Sequence, residues 1–194
     1  SGALSLQGTN TFTGTIALNA GSLTIGSVHA GNNAVTVADL TTFGATVSEA
    51  NTTLALSSLT LGSNPTGNVT NNFGLGTFGN PSVPVVNATS LAANGTNLIN
   101  VTGQGLSVGQ ITLLKCTGTI GGTHTFVLGP LPAGRVGNLI INPDSVVLDI
   151  TSAPSLKWIG QTNSVAVSAW TIGVVSNWFD TSLSQPAFFA NGQS

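Results

Sequence analysis

Charge is what this 194-residue chain has least of, with Asp, Glu, Lys and Arg together only 4% of it, against roughly 25% in ordinary soluble domains. Three cations, Lys115, Arg135 and Lys157, cannot make the basic face that nucleic acid or an anionic membrane surface requires. Neither partner is expected. The single Cys116 excludes an intrachain disulfide. Its place in Ile111-Thr112-Leu113-Leu114-Lys115-Cys116 reads as a small, partly buried strand residue rather than a reactive thiol. Every long apolar run is broken by Gly, Asn, Thr or Ser, so no transmembrane helix is expected. Ser1 leads straight into a strand pattern without a basic start or an apolar leader. If exported, the chain is expected to be a mature piece or an internal fragment.

Hydrophobic residues are 41% of the chain and the net charge is −2, the reverse of a disordered composition. Short β-favouring runs separated by Gly- and Asn-rich turns remain, which means an all-β fold. The pattern is clearest at the start. Leu4/Leu6, Ile16/Leu18 and Leu23/Ile25 are apolar pairs at period two, each turning one face inward. Strands this short are stable only when successive turns of chain stack and their inward residues form columns.

The opening text, Gly2-Ala3-Leu4-Ser5-Leu6-Gln7-Gly8-Thr9-Asn10-Thr11-Phe12-Thr13-Gly14 continuing to Leu23-Thr24-Ile25-Gly26, closely resembles the autotransporter-associated β-strand repeat. That repeat runs G-x-L-x-L-x-G-x-N-T-[FY]-T-G, then a strand, A-G and L-x-[IL]-G. The resemblance implies a right-handed parallel β-helix, or β-solenoid, on the bacterial outer surface or in an extracellular protein.

Further apolar pairs follow: Val35/Val37, Leu54/Leu56, Leu59/Leu61, Leu98 with Val101, Ile111/Leu113 and Phe126/Leu128. A constant spacing of about 20 residues predicts about seven coils through residue 150. Proline-bearing stretches at 64–68, 78–84 and 129–135 read as loops leaving the wall. Asn100-Val101-Thr102-Gly103-Gln104-Gly105-Leu106, Leu114-Lys115 and Leu131-Pro132 resemble the stretch that closes such solenoids in large repeat proteins of verrucomicrobial type. Residues 1–152 are therefore assigned to the solenoid. Residues 153–194 form an aromatic-rich C-terminal β segment, a cap or an interface. It holds Trp158, Trp170 and Trp178 with Phe179, Phe188 and Phe189. The order W-x-G, W, N-W, F-x-x-G resembles a Trp motif that recurs between solenoid blocks in the same large proteins, although Thr171 follows the middle Trp where Asp is common there.

Catalysis is not expected. Asp39, Glu49, Asp144, Asp149 and Asp180 are scattered, whereas glycan chemistry needs convergent acids. Asp144 in Asn142-Pro143-Asp144-Ser145 reads as a turn residue, and Asp149 alternates away from Leu148 and Ile150 onto the outer face. His29 and His124 have no ligand-spaced neighbours and read as turn or surface histidines, so no metal or cofactor is expected. Asn51, Asn68, Asn87, Asn94 and Asn100 begin N-x-[ST] triplets. Their expected role is coil-to-coil hydrogen bonding rather than glycosylation.

The candidate contacts for capping or for joining subunits are Leu4, Leu6, Phe12, Trp158, Trp170, Trp178, Phe188 and Phe189. From Ser1 to Ala38 there is no charged side chain and no proline, so nothing in that sequence blunts a strand edge. The leading expectation is a self-assembling structural protein whose solenoids stack head to tail, its partner being itself or neighbouring blocks of the same protein. An adhesin segment that touches carbohydrate is the alternative, and a polysaccharide-active β-helix enzyme comes third.

Overall fold

A computed structural model describes residues 2–154 and the short strands 156–158, 161–162, 165–166, 178–180 and 185–187. It is all-β, with parallel stacked coils that make a β-solenoid. One wall, face A, stacks β1 (Ala3–Leu6), β3 (Ser22–Gly26), β5 (Thr42–Thr46), β7 (Asn68–Gly74), β9 (Gly95–Thr102) and β11 (His124–Leu128), all in parallel. The other, face B, stacks β2 (Ile16–Leu18), β4 (Ala34–Val37), β6 (Leu54–Leu61), β8 (Val86–Ala93) and β10 (Gly109–Cys116) in parallel. It then adds β13 (Ser145–Ser152) and β12 (Val136–Asn142) as an antiparallel hairpin.

Alternation of side chains across each short strand puts one apolar set inside. On face A the inward columns run Leu4, Leu23, Phe43, Asn71, Ile99, Leu128 and Leu6, Ile25, Ala45, Phe73, Val101. Facing them on face B are Ile16, Val35, Leu59, Leu91 and Leu18, Val37, Leu61, Ala93. Ala45 stands between Ile25 and Phe73, so small and large side chains share the width of the core. Corners close tightly. Gly21, at φ +82, lies so close to the Gly2 carbonyl that a Cβ would collide with it. That conformation and that space both demand glycine.

The coils are not equal. Ala3, Ser22, Thr42, Thr70, Leu98 and Val127 stand one above another, so each coil from Thr42 onward takes up markedly more chain than the two before it. The chain therefore makes fewer rungs than a constant spacing predicts. The extra length lies largely on face B, where β6 and β8 have two halves. The residues Ser58–Leu61 of β6 pair with β4, while Leu54–Leu56 extend past it onto Val86–Ala88, which in turn carry β10. In the narrower second coil that corner is filled by the loop holding His29 and Asn33, whose carbonyl accepts the Ser57 N–H.

The inward phase of β9 differs from expectation. Ile99 and Val101 are buried, and Leu98 points to the outer face half-exposed. Beyond Pro154, β14 (Leu156–Trp158), β17 (Trp178–Asp180) and β18 (Gln185–Ala187) pair into a small antiparallel sheet, and β15 (Gln161–Thr162) pairs with β16 (Val165–Ala166).

Candidate functional site

The features that set this solenoid apart from an inert rod lie at its two ends. At the N-terminal end β1 pairs only with β3 and β2 only with β4 among the described residues. Between them opens a recess of about 310 Å3 whose lining includes Leu4, Ile16, Leu18 and Leu23. Leu4 is 57% exposed although it heads an interior column, and Leu6 is half-buried. Around the same end stand Phe12, 45% exposed, and Leu40, 85% exposed at φ +62.

Phe12 has a second role. Its ring meets the His29 ring edge-on at 5.2 Å, and its carbonyl, with that of Gly14, accepts hydrogen bonds from Asn33 Nδ2. Asn33 Oδ1 accepts from His29 Nε2–H. The loop of the first coil is thus pinned to the second by a buried polar corner. His29, expected at a turn or surface, is 3% exposed, and its Nδ1 has no partner among the described residues. The burial comes from Phe12 and Asn33, neither of which forms a recognisable motif with it.

The C-terminal end is built differently. After β11 the chain turns back as the β12–β13 hairpin, and the two antiparallel steps return β12 to the direction of β10. Both outermost strands, β11 and β12, therefore run in the sense of the walls they extend. Between them lies a groove of about 580 Å3 lined by Phe126, Leu128, Leu131, Arg135, Val136 and Leu139, among others. Arg135 is held at its rim, Nε donating to the Leu106 carbonyl at 3.2 Å and Nη1 to the Ala133 carbonyl at 3.0 Å. Burial lowers its pKa below the ordinary guanidinium value. His124 faces inward beside Phe126, ring centroids 5.0 Å apart, half-buried rather than on a turn.

Among the described side chains the acids do not converge. Asp39 caps a corner by accepting from the Ser63 N–H and hydroxyl. The Glu49 backbone carbonyl accepts from Thr52. Asp149 lies on the outer face, between buried Leu148 and Ile150. Asp144 occupies its turn and pairs with Lys115, whose ammonium hydrogen bond holds the carboxyl below the ordinary carboxylate range. Among the described residues no three His, Cys, Asp or Glu side chains gather as metal ligands. Cys116 is buried, and that burial, aided by Asp144, raises its thiol pKa. No described helix is long and apolar enough to cross a membrane.

Asparagines do link coils. Asn100 Nδ2 donates to Asn72 Oδ1 at 3.0 Å, Asn94 Nδ2 to the Gly62 carbonyl at 3.1 Å, and, fully buried, Asn71 Nδ2 to Asn97 Oδ1 at 3.3 Å. The buried pair escaped sequence reading because an inward Asn breaks the apolar alternation that marks a core face. Trp158 and Trp178 lie opposite each other in the register of β14 and β17. Trp170, Phe188 and Phe189 lie outside the described residues. No family model, no curated protein and no solved structure matches the chain.

Proposed function

We propose that the chain is a structural, self-assembling extracellular β-solenoid whose ends join copies into a filament or surface fibre. The supporting observation is the state of its edges. Among the described residues β1 has a free row of N–H and C=O groups together with an exposed Leu4, and no charge or proline between Ser1 and Ala38 guards it. Free strand edges recruit further strands unless charge, proline or a covering element prevents it. At the other end β11 and β12 keep the direction of their walls, so each can accept a parallel strand. A joint of unlike surfaces does not close on itself and propagates into a fibre.

The joint is large enough to hold. Walls about 10 Å apart, with side chains outside them and a first coil running from Ala3 to Ser22, present roughly 600 Å2 per partner, at the lower end of stable interfaces. The N-terminal text and the closing stretch resemble autotransporter-associated repeat proteins of the bacterial surface, and that likeness favours an extracellular setting. A second reading, an adhesive segment of a larger surface protein, draws on the same likeness and on the sparsely charged outer walls, which suit carbohydrate better than a charged polymer.

Electron microscopy of the purified chain at neutral pH separates the two. Uniform filaments support assembly between copies. Dispersed particles at every concentration overturn it and leave the adhesive segment, whose next test is binding to a panel of glycans.

A further inference from the structure

We propose that His29 is an acid-released latch on the first coil: a second proton on its ring frees residues 8–14, the loop that joins β1 to β2. The latch stands on the geometry of one buried corner, and only its bearing on assembly rests on the self-joining function proposed above.

Asn33 fixes where that proton must go. Its Nδ2 donates to the carbonyls of Phe12, at 3.0 Å, and Gly14, so the atom it turns to His29 is Oδ1. An amide oxygen only accepts, which makes His29 Nε2 the N–H of the neutral ring and leaves Nδ1 as the bare nitrogen. Nδ1 is buried and has no partner among the described residues. On the neutral ring this is one unmade hydrogen bond. With a proton it becomes a charged N–H without an acceptor, in a residue 3% exposed, and burying such a charge is far more costly. Nothing packed on the ring offsets it. Residues 8–14 hold no charged side chain, and residues 26–34 none besides His29 itself. The turn of the next coil, which reaches this corner through Thr52 and Ser57, carries one acid, Glu49, and it stands exposed.

The loop has little else to hold it. It is tied to the second coil by the Ala30 N–H on the Asn10 carbonyl at 2.9 Å, by the two Asn33 bonds, and by the Phe12 ring edge-on to His29 at 5.2 Å. All of these end on residues 29–33. Gly8, Thr9 and the run Thr11 to Gly14 are exposed, and a segment with few buried contacts opens at low cost in free energy. Once it opens, water serves both ring nitrogens. Proton uptake therefore favours the open loop, from the ordinary imidazole range of about pH 6.5 downward. β1 and β2 then lose the link between them, and acid takes apart the surface that the proposed joint uses.

Hydrogen exchange on the dispersed full chain, corrected for the intrinsic pH dependence of the exchange reaction, tests the latch. Between about pH 7.5 and 5.5, exchange over residues 8–15 should rise about five- to tenfold while β7–β9 stay unchanged. His29→Gln keeps an N–H for Asn33 Oδ1 but takes up no proton, and should flatten that response. His124→Gln should leave it intact. A flat or falling response in the unsubstituted chain overturns the proposal, as does an equal rise in His29→Gln or a lost rise in His124→Gln. Should His29→Gln not fold, the unsubstituted chain decides: the midpoint of the exchange response must coincide with the titration of the His29 ring protons followed by NMR, and a mismatch overturns the latch. Filaments are a separate readout. Their absence at every pH overturns self-assembly, while exchange alone decides the latch.

Discussion

The two ends of the solenoid are made on different principles. The N-terminal end is bare among the described residues: β1 and β2 lie on the narrowest coil, with Leu4 open to solvent at the head of an interior column. The C-terminal end turns back on itself, and the β12–β13 hairpin covers one wall while leaving a groove beside the other. The difference teaches where order is held. In a stack each rung is stabilised by its neighbours, so the bare end should fray and the middle, where Phe43, Leu61, Phe73 and Ile99 are fully buried, should open last.

The largest effect should come from the middle. Phe73→Ala removes a buried ring from the inward column and should cost about 3–5 kcal/mol, read as a lower denaturant midpoint or as loss of the folded chain. Leu4→Ala, in an equivalent column at the bare end, should cost well under about 1 kcal/mol because its side chain is already half in water. Equal costs would mean that the N-terminal end is covered in solution. Next in size, Asn97→Ala leaves Asn71 buried without its partner and should cost about 1–3 kcal/mol. Asn33→Ala should cost a similar amount, but its damage should stay local. Amide exchange should accelerate over residues 8–15 and leave β7–β9 protected.

The smallest effects are those of pH. The Lys115 hydrogen bond depresses the Asp144 pKa, so its contribution is present above the unfolded carboxyl value of 3.8 and fades as pH falls through the lower folded value. Acid should therefore loosen the β10–β13 junction slightly, and Asp144→Asn should remove that dependence. Cys116 acts in the opposite range. Its raised thiol pKa makes folding weaken as pH climbs past the unfolded value of 9.0, where only the unfolded thiol ionises freely. Urea midpoints at several pH values would show both slopes.

Much of the wall was legible in the residues. Period-two pairs from Leu4 to Leu61 marked inward faces because each apolar residue alternates with Ser, Thr, Ala or Gly. Legibility failed where polar residues enter the core. In Asn97-Leu98-Ile99-Asn100-Val101 two adjacent apolar residues leave the phase open, and Asn97 takes the inside position above Val69, where its side chain meets Asn71 diagonally. The reversal at Asn142-Pro143-Asp144-Ser145 was readable as a turn. Its antiparallel consequence was not, since proline and aspartate specify a bend and not the direction of the strand after it. Leu4, Leu6 and Phe12, candidate end contacts in the sequence, lie at the N-terminal end, Leu4 and Phe12 exposed and Leu6 half-buried. The groove was not legible, because its sides come from β11 and β12, which are joined by a loop that carries no signal of the space it encloses.

The coil between Leu98 and Val127 is longer than the coil between Ala3 and Ser22, and that growth gives the body a taper. A tapered rod has a front and a back, so a string of such bodies would not be a smooth cylinder. Each junction would set a broad rung against a slender one, and the outline would step in and out once per subunit, like the segments of a bamboo stem. Any fibre built from this chain would thus wear its direction on its silhouette.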